Sequence, residues 1–349
     1  MTISTEAVID PDRPIVDPHH HLWDRANLVL HDIPFAEHGF NEMLRRRPHF
    51  LLEELLTEIT SGHNIRATVF IECHSMYRLD GPEAFRCVGE TEFVNGVAAM
   101  SASGRYGDTR ACAGIVGHAD LTQGASVREV LQAHIAAGGG RFRGIRHSAS
   151  FDVDPSVLGP LSGRYPAGLY RDEQFRAGFA TLQPLGLTFD AWLLEPQLAD
   201  LFDLARAFPE TTIVMDHVGT PLGLGAYQGK RQARFDDWRR QIQALATCEN
   251  VVVKLGGLAM PFAGFPWSYD KRPSSQELAE AWKPYIETCI EFFGADRCMF
   301  ESNFPVDDFT CDYTTLWNTM KRIAADYSEA EKTALFSGTA ARVYRLDLG

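Results

Sequence analysis

The sequence contains no Cys-x-x-Cys pair; its seven cysteines (Cys73, Cys87, Cys112, Cys248, Cys289, Cys298, Cys311) are scattered and odd in number. That arrangement excludes a disulfide framework and a zinc ribbon, and makes a reducing, cytoplasmic setting the expectation. No apolar run reaches the ~18 residues that span a bilayer, and the opening MTISTEAVIDPDRP lacks a charged start followed by an apolar stretch. No membrane association is expected. Positive charge is scarce too: a formal net charge of -13 and a pI near 5.4 repel polyanions, which excludes a general nucleic-acid-binding role. The one basic run, Arg45 to Arg47, precedes Pro48 and reads as a solvated loop that could help draw in an acidic small molecule. The Gly138 to Gly140 turn follows a helical pattern and lacks Gly-x-Gly-x-x-Gly spacing, so dinucleotide binding is excluded there.

What is present is a chain of 349 residues, 45% hydrophobic and 23% charged, the proportions of a globular protein with a sizeable core. Short β-branched runs alternate with longer helical patterns, as in a parallel sheet with crossover helices. Eight runs read as strands: Pro14–Asp17, Ala67–Cys73, Cys112–Gly117, Gly144–His147, Leu187–Leu193, Thr212–Met215, Val251–Leu255 and Cys298–Glu301. Most are continuously apolar, as strands buried on both faces should be. Between them Phe50–Thr60, Glu90–Ser101, Val127–Ala137, Glu195–Ala207 and Glu277–Phe293 carry apolar residues at helical spacing. The expected architecture is α/β, a (β/α)8 TIM barrel of parallel strands that fills residues 14–349 as one domain after an N-terminal tail, 1–13. Three long segments, Leu22–His49, Ser148–Tyr170 and Gly256–Ser274, each follow a strand and read as βα loops walling a pocket on the catalytic face. Trp23, Phe151, Tyr165, Phe262, Phe265, Trp267 and Tyr269 would make that pocket partly apolar.

Asp17-Pro18-His19-His20-His21 closes the first strand. Residues two apart on a strand share a face, so His19 and His21 can converge on one ion while His20 points away.

The segments Val16-Asp17-Pro18-His19-His20-His21-Leu22-Trp23, Gly144-Ile145-Arg146-His147, Asp216-His217-Val218-Gly219, Lys254-Leu255-Gly256-Gly257-Leu258 and Arg297-Cys298-Met299-Phe300-Glu301-Ser302-Asn303-Phe304-Pro305 resemble the amidohydrolase-related family. The resemblance runs from about residue 14 to Thr339-Ala340-Ala341-Arg342-Val343-Tyr344, in order and at strand ends. It points to the lactonase-like branch of sugar lactonases and pyrone-dicarboxylate lactonases, with aromatic-acid decarboxylases as a related branch. By this resemblance His19 and His21 match paired metal ligands, and His217 matches the histidine ending the sixth strand. Asp216 is expected to face the other way, as a structural carboxylate. Arg146 matches an arginine that holds substrate carboxylate in the pyrone branch, where a guanidinium fork meets both oxygens. His147, His74, Trp192 and Lys254, at or near strand ends, join it as substrate-binding candidates.

The departure is on the eighth strand. The family usually has Ser-Asp-Trp-Pro there, with the aspartate as metal ligand or general base; this chain has Ser302-Asn303-Phe304-Pro305. An amide takes no proton from water at neutral pH, so the catalytic candidates become His217, Asn303 itself, Glu301 of the same parity, and Asp307 beyond Pro305. Glu72, on the second strand, could complete a His19, His21, Glu72, His217 metal set of the kind zinc accepts. Its structural alternative is an ion pair, with Lys254 as candidate partner. A divalent ion, zinc by ligand type, would polarise a carbonyl and lower the pKa of bound water to ~7, making the missing aspartate tolerable. Without an ion, His217, His147 or a flanking carboxylate must move the proton.

The first expectation is therefore a hydrolase that opens a lactone or related cyclic carbonyl compound. The alternatives are a lyase acting on an aromatic or enol acid, weakened by Asn303, and a non-catalytic binding protein. The partner in each case is a small molecule, acidic or neutral, with homo-oligomerisation left open.

Overall fold

The computed structural model describes residues 6–26 and 37–348. Residues 1–5 of the expected tail and 27–36 of the first long loop lie outside the described residues.

Eight parallel strands form one sheet in sequence order: β1 (Ile15–His20), β2 (Ile65–Ile71), β3 (Arg110–Gly117), β4 (Phe142–Arg146), β5 (Thr188–Ala191), β6 (Ile213–Met215), β7 (Val251–Leu255) and β8 (Cys298–Phe300). The sheet curls until the segment after β8 meets β1. There Asn303 N donates to His19 O at 2.9 Å, and His21 N donates to Phe304 O at 2.8 Å. The helices that return the chain are α1 (Leu52–Ile59), α2 (Val88–Ala102), α3 (Val127–Ala137), α4 (Glu173–Phe179), α5 (Leu198–Ala207), α6 (Arg231–Leu245), α7 (Ser275–Phe293) and α8 (Tyr313–Ile323). This is the (β/α)8 barrel that the alternating pattern predicts. No helix among the described residues is long and apolar enough to cross a membrane.

Strand parity sorts the side chains into two cores. Phe70, Ile115, Ile145, Phe189, Ile213 and Phe300 belong to the large cluster between strands and helices, where burying each side chain stabilises the fold by about 1.5–3 kcal/mol. Their neighbours Val16, Val69, Ile71, Val116, Val214, Val252 and Met299 form a separate apolar cluster with Tyr344. Those alternate positions fill the barrel interior as packed layers. Further along several strands the inward positions turn polar, at Arg146, Asp190, Lys254, Asp216 and Glu301, all buried. A charged layer thus rests on an apolar plug.

The first strand departs from simple alternation. Its register with β2 shifts between Asp17 and His20, where Pro18 has no N–H to give to a ladder. The bulge sends His20 outward, its Nε2 2.8 Å from Thr68 Oγ1, and leaves His19 inside. β1 therefore runs to His20, three residues past the sequence-based boundary at Asp17.

Several helix starts carry their own stop and start chemistry. Ser274 and Glu277 make a reciprocal capping box on α7, and Asp172 caps α4 by accepting from Phe175 N at 2.8 Å. Residues 6–13 are tied down: Ile9 N donates to Asn318 Oδ1 and Lys321 Nζ to Asp10 O.

Candidate active site

The floor of the site is assembled at the carboxyl ends of β1, β6 and β8. Glu301, just past β8, bridges two imidazoles: Oε1 lies 2.7 Å from His217 Nδ1 and Oε2 lies 2.8 Å from His19 Nδ1. The two rings face each other at 4.6 Å between centroids. A Cβ on Gly256 would fall 2.4 Å from Glu301 Cγ, and one on Gly257 would fall 2.4 Å from His217 Cγ. Two consecutive glycines after β7 are therefore what lets this carboxylate and ring approach the strand.

Beside them stands Asp216, with Oδ2 3.3 Å from Arg146 Nη1 and Oδ1 3.1 Å from Lys254 Nζ. The expectation that Asp216 faces away from the site is corrected. Val214 of β6 points into the barrel, and Asp216 continues that parity. His217 then turns inward as well, because the chain leaves the strand there with φ of 57° at His217 and 48° at Val218. Alternation was applied one residue beyond the strand that justified it.

Ligand atoms of His19, Asp216 and His217 lie within 4.8 Å of one another. The surroundings suit a cation. Four buried carboxylates (Glu72, Asp190, Asp216, Glu301) face two buried fixed cations, Arg146 and Lys254, an excess of two negative charges when all are ionised. Oδ1 of Asp216 and Oε2 of Glu301 are buried without a hydrogen bond. Burial, reinforced by Lys254 and His217, holds His19 well below the usual imidazole range and so keeps it neutral. Burial alone would raise Asp216, yet Lys254, His217 and Arg146 outweigh it and hold the carboxylate ionised below its ordinary value. The His19 and His217 rings with the Asp216 carboxylate are a donor set for zinc or a similar divalent ion.

The other two expected ligands, His21 and Glu72, lie outside this cluster; both line the pocket, and the Nδ1 contact of His21 leaves its Nε2 available. His21 directs Nδ1 at Ile71 O, 2.8 Å away, and lies edge-on to His19 at 5.0 Å. Glu72 accepts from Arg146 Nε at 2.8 Å, and Arg146 also donates to the Glu72 carbonyl at 2.6 Å. Its partner is thus Arg146 and not Lys254, which lies one level deeper, 2.7 Å from Asp190. Lys254 and Asp190, fully buried below the pocket, brace the floor from beneath. Asp190 in turn accepts from Tyr344 at 2.6 Å, so the C-terminal segment reaches the charged layer.

Asn303 lines the pocket with a φ of 54°, a backbone region that Asn tolerates better than most residues. Its Nδ2 donates to Asp307 Oδ1 at 2.7 Å, which leaves its carbonyl oxygen for the pocket. Asp307 lies behind it; burial pushes its carboxyl well above the usual range, against the pull of Asn303. Asp307 does not itself line the pocket among the described residues and reaches it through Asn303.

The pocket above is walled by Trp23, Phe40, Tyr165, Trp192, Met260 and Val306. Trp192 Nε1 is buried without an acceptor. His74 stands at the mouth with Nε2 3.6 Å from Glu72 Oε2 and Nδ1 2.8 Å from Tyr77 OH. His147 is turned out of the main pocket into a side cavity shared with His74 and His118, its Nδ1 accepting from Leu121 N at 3.2 Å. Sequence reasoning missed Asp190, His118, Arg25 and Arg164. Asp190 alone left a signal, a lone acid inside an apolar strand.

Residues 16–346 match the sequence profile of the family described as Amidohydrolase. The chain is 31% identical over 341 residues to the uncharacterized protein y4mH of Sinorhizobium fredii, covering 96% of this chain and 99% of that one. It is 28% identical over 332 residues to the L-fucono-1,5-lactonase of Burkholderia multivorans, covering 95% and 96% of the two chains. Among solved structures, an amidohydrolase from Burkholderia multivorans with bound zinc superimposes with a TM-score of 0.72 at 24% identity, over 95% of this chain and 99% of that one. At that identity the superposition speaks to the fold. With the profile spanning the barrel and its strand-end histidines and acids, the chain belongs to the amidohydrolase family and is an enzyme of the amidohydrolase superfamily.

Proposed function

We propose that this enzyme hydrolyses a lactone, opening the ring with water activated at the floor of the barrel. The observation that carries the reading is the His19, Asp216 and His217 cluster, braced by Glu301 at the bottom of an aromatic-walled pocket. A relative named L-fucono-1,5-lactonase, alike over nearly the whole chain, supports the same chemistry.

His19, Asp216 and His217 are the residues that would hold a divalent ion. Such an ion supplies Lewis acidity toward a carbonyl oxygen and lowers the pKa of water. Glu301 positions both rings at the cluster: Oε1 lies 2.7 Å from His217 Nδ1, and Oε2 lies 2.8 Å from His19 Nδ1, which Lys254 Nζ also approaches at 3.2 Å. Arg146 and Lys254 keep Asp216 ionised. Asn303 offers a carbonyl oxygen to a water or substrate hydroxyl, oriented by Asp307, and acts in positioning instead of proton abstraction. Trp192 Nε1 is a free donor for a ring or carbonyl oxygen, and the apolar wall keeps bulk water from the floor.

The test is a pH-indicator assay of the metal-replete protein on five- and six-membered sugar lactones, repeated after chelation and after adding back zinc or manganese. Turnover lost on chelation and restored by metal is expected. No turnover of any lactone by protein carrying stoichiometric metal would sink the reading.

A further inference from the structure

The basic residues that the sequence suggests for an acidic substrate are all occupied. Arg46 pairs with Glu42, Arg47 with Glu58 and Asp308, and Arg146 with Glu72 and Asp216. Two other arginines line the main pocket, Arg25 and Arg164, and neither has a carboxylate within ion-pair distance among the described residues. Arg25 is held in place from one side: its Cζ lies 4.7 Å from the Trp23 ring centroid, and it donates to the Cys73 carbonyl. Arg164 makes no hydrogen bond among the described residues. It stands on an exposed loop position with its guanidinium at the pocket, where partial burial and the charge of Arg25 lower its pKa against the opposing pull of Tyr165 and Glu72.

Few acids stand near them among the described residues. Among the described residues Glu72 is the one carboxylate lining the pocket, and Arg146 already holds it. Beyond Arg164 and Tyr165 a side cavity is lined by His74, His118, His147 and Thr122, together with Asp120. Asp120 is engaged as a helix cap, accepting from Thr122 N and Oγ1. His118 and His147 have their Nδ1 atoms fixed by Arg146 O and Leu121 N, which leaves Nε2 of each ring available. Two guanidinium groups at one rim, neither ion-paired among the described residues, are an arrangement that an anion would complete.

We propose that the lactone opened at this site carries an oxyanion, which Arg25 and Arg164 clamp at the rim with the substituent extending over His74 and His118. This rests on the lactone-opening reading and adds the substrate class to it. A planar guanidinium meets two oxygens of a carboxylate or phosphate at once, so two arginines can hold the group in one orientation and set the ring carbonyl toward His217.

The experiment compares D-glucaro-1,4-lactone (carboxylate), 6-phosphogluconolactone (phosphate) and the neutral D-galactono-1,4-lactone on wild-type, Arg25→Gln, Arg164→Gln and Arg164→Lys enzymes at low and high salt. Each Gln variant is expected to lose kcat/KM on one of the anionic lactones by at least about tenfold more than on the neutral one, mostly through KM. Which anionic lactone responds identifies the oxyanion. Arg164→Lys should restore part of the loss, because a point charge remains without the fork. Equal losses on all three lactones, or none, overturn the clamp. If no lactone of any charge turns over, calorimetric titration with D-glucarate against galactitol still decides. Glucarate binding weakened about tenfold in the Gln variants upholds the clamp while the lactonase reading falls; absent binding, or binding equal in all variants, overturns the clamp itself.

Discussion

Floor and rim of the pocket are built in opposite ways. At the floor, His19, Asp216, His217 and Glu301 are fully or almost fully buried, and each is fixed by at least one ion pair or hydrogen bond to another strand end. At the rim, Arg25 and Arg164 sit on loops, with a ring face and a carbonyl as their side-chain partners among the described residues, both of them Arg25's. Rigid strand ends suit groups whose positions must not change during a reaction, whereas loop-borne charges without partners suit a ligand that completes them. Geometry for chemistry and capacity for recognition are thus separated by depth, and each can be perturbed alone.

Removing a floor group should cost most. His217→Ala is expected to lower kcat/KM on the order of 10³-fold, the scale of deleting a principal electrostatic group, with bound metal lost in elemental analysis. A variant that retained both activity and metal would transfer the chemistry away from the floor.

Glu72 stands between the two regions, joined to Arg146 below and facing His74 above. Glu72→Ala leaves a buried guanidinium with Asp216 as its one remaining carboxylate and should reduce unfolding stability by about 3 kcal/mol in urea titration, while metal content is unchanged. Loss of metal instead would return Glu72 to the ligand set.

Glu301→Gln keeps the size of the bridge but can accept from only one ring nitrogen at a time. Metal affinity, measured by competition with a chromophoric chelator, should fall about 10–100-fold. A smaller effect would mean the rings are held by packing alone.

The mildest change tests the rear support of Asn303. Asp307 has a folded pKa well above its ordinary value, so the folded state holds the proton more tightly. Its contribution is full at low pH and is lost as pH rises from the unfolded value of about 3.9 through the folded pKa. Asp307→Asn mimics the neutral acid and can still accept from Asn303. Its melting temperature should match the wild type near pH 4 and decline less toward alkaline pH; parallel curves would show that the carboxyl does not titrate as described.

The barrel was legible from sequence because buried parallel strands write themselves as short apolar runs. Val251–Leu255 and Val127–Ala137 coincide with β7 and α3 to the residue. His19 was singled out by its place at a strand end and His217 by the family resemblance, and the fold brings the two rings together. Asp216 was assigned to the wrong face because alternation was extended past β6 into left-handed backbone. The partner of Glu72 was misjudged because Arg146 and Lys254 both point inward from their strands, and only depth along the barrel separates them. Arg25 and Arg164 carried no signal, since loop residues reach a pocket by routes that no periodicity encodes.

The seam where the barrel closes deserves one further step. Ser302 N donates to Asp17 at 3.0 Å across 285 residues of chain, and Asn303 and Phe304 bind β1 beside His19 and His21. Contacts at such separation carry a large loop-closure cost. They also bring Glu301 to the histidines of the opposite end of the chain, so no segment lacking either end can assemble the floor. Loosening β8 alone would silence the enzyme with most helices still in place. Loss of activity on heating should therefore precede loss of helical signal, making turnover a more sensitive gauge of an intact seam than secondary structure.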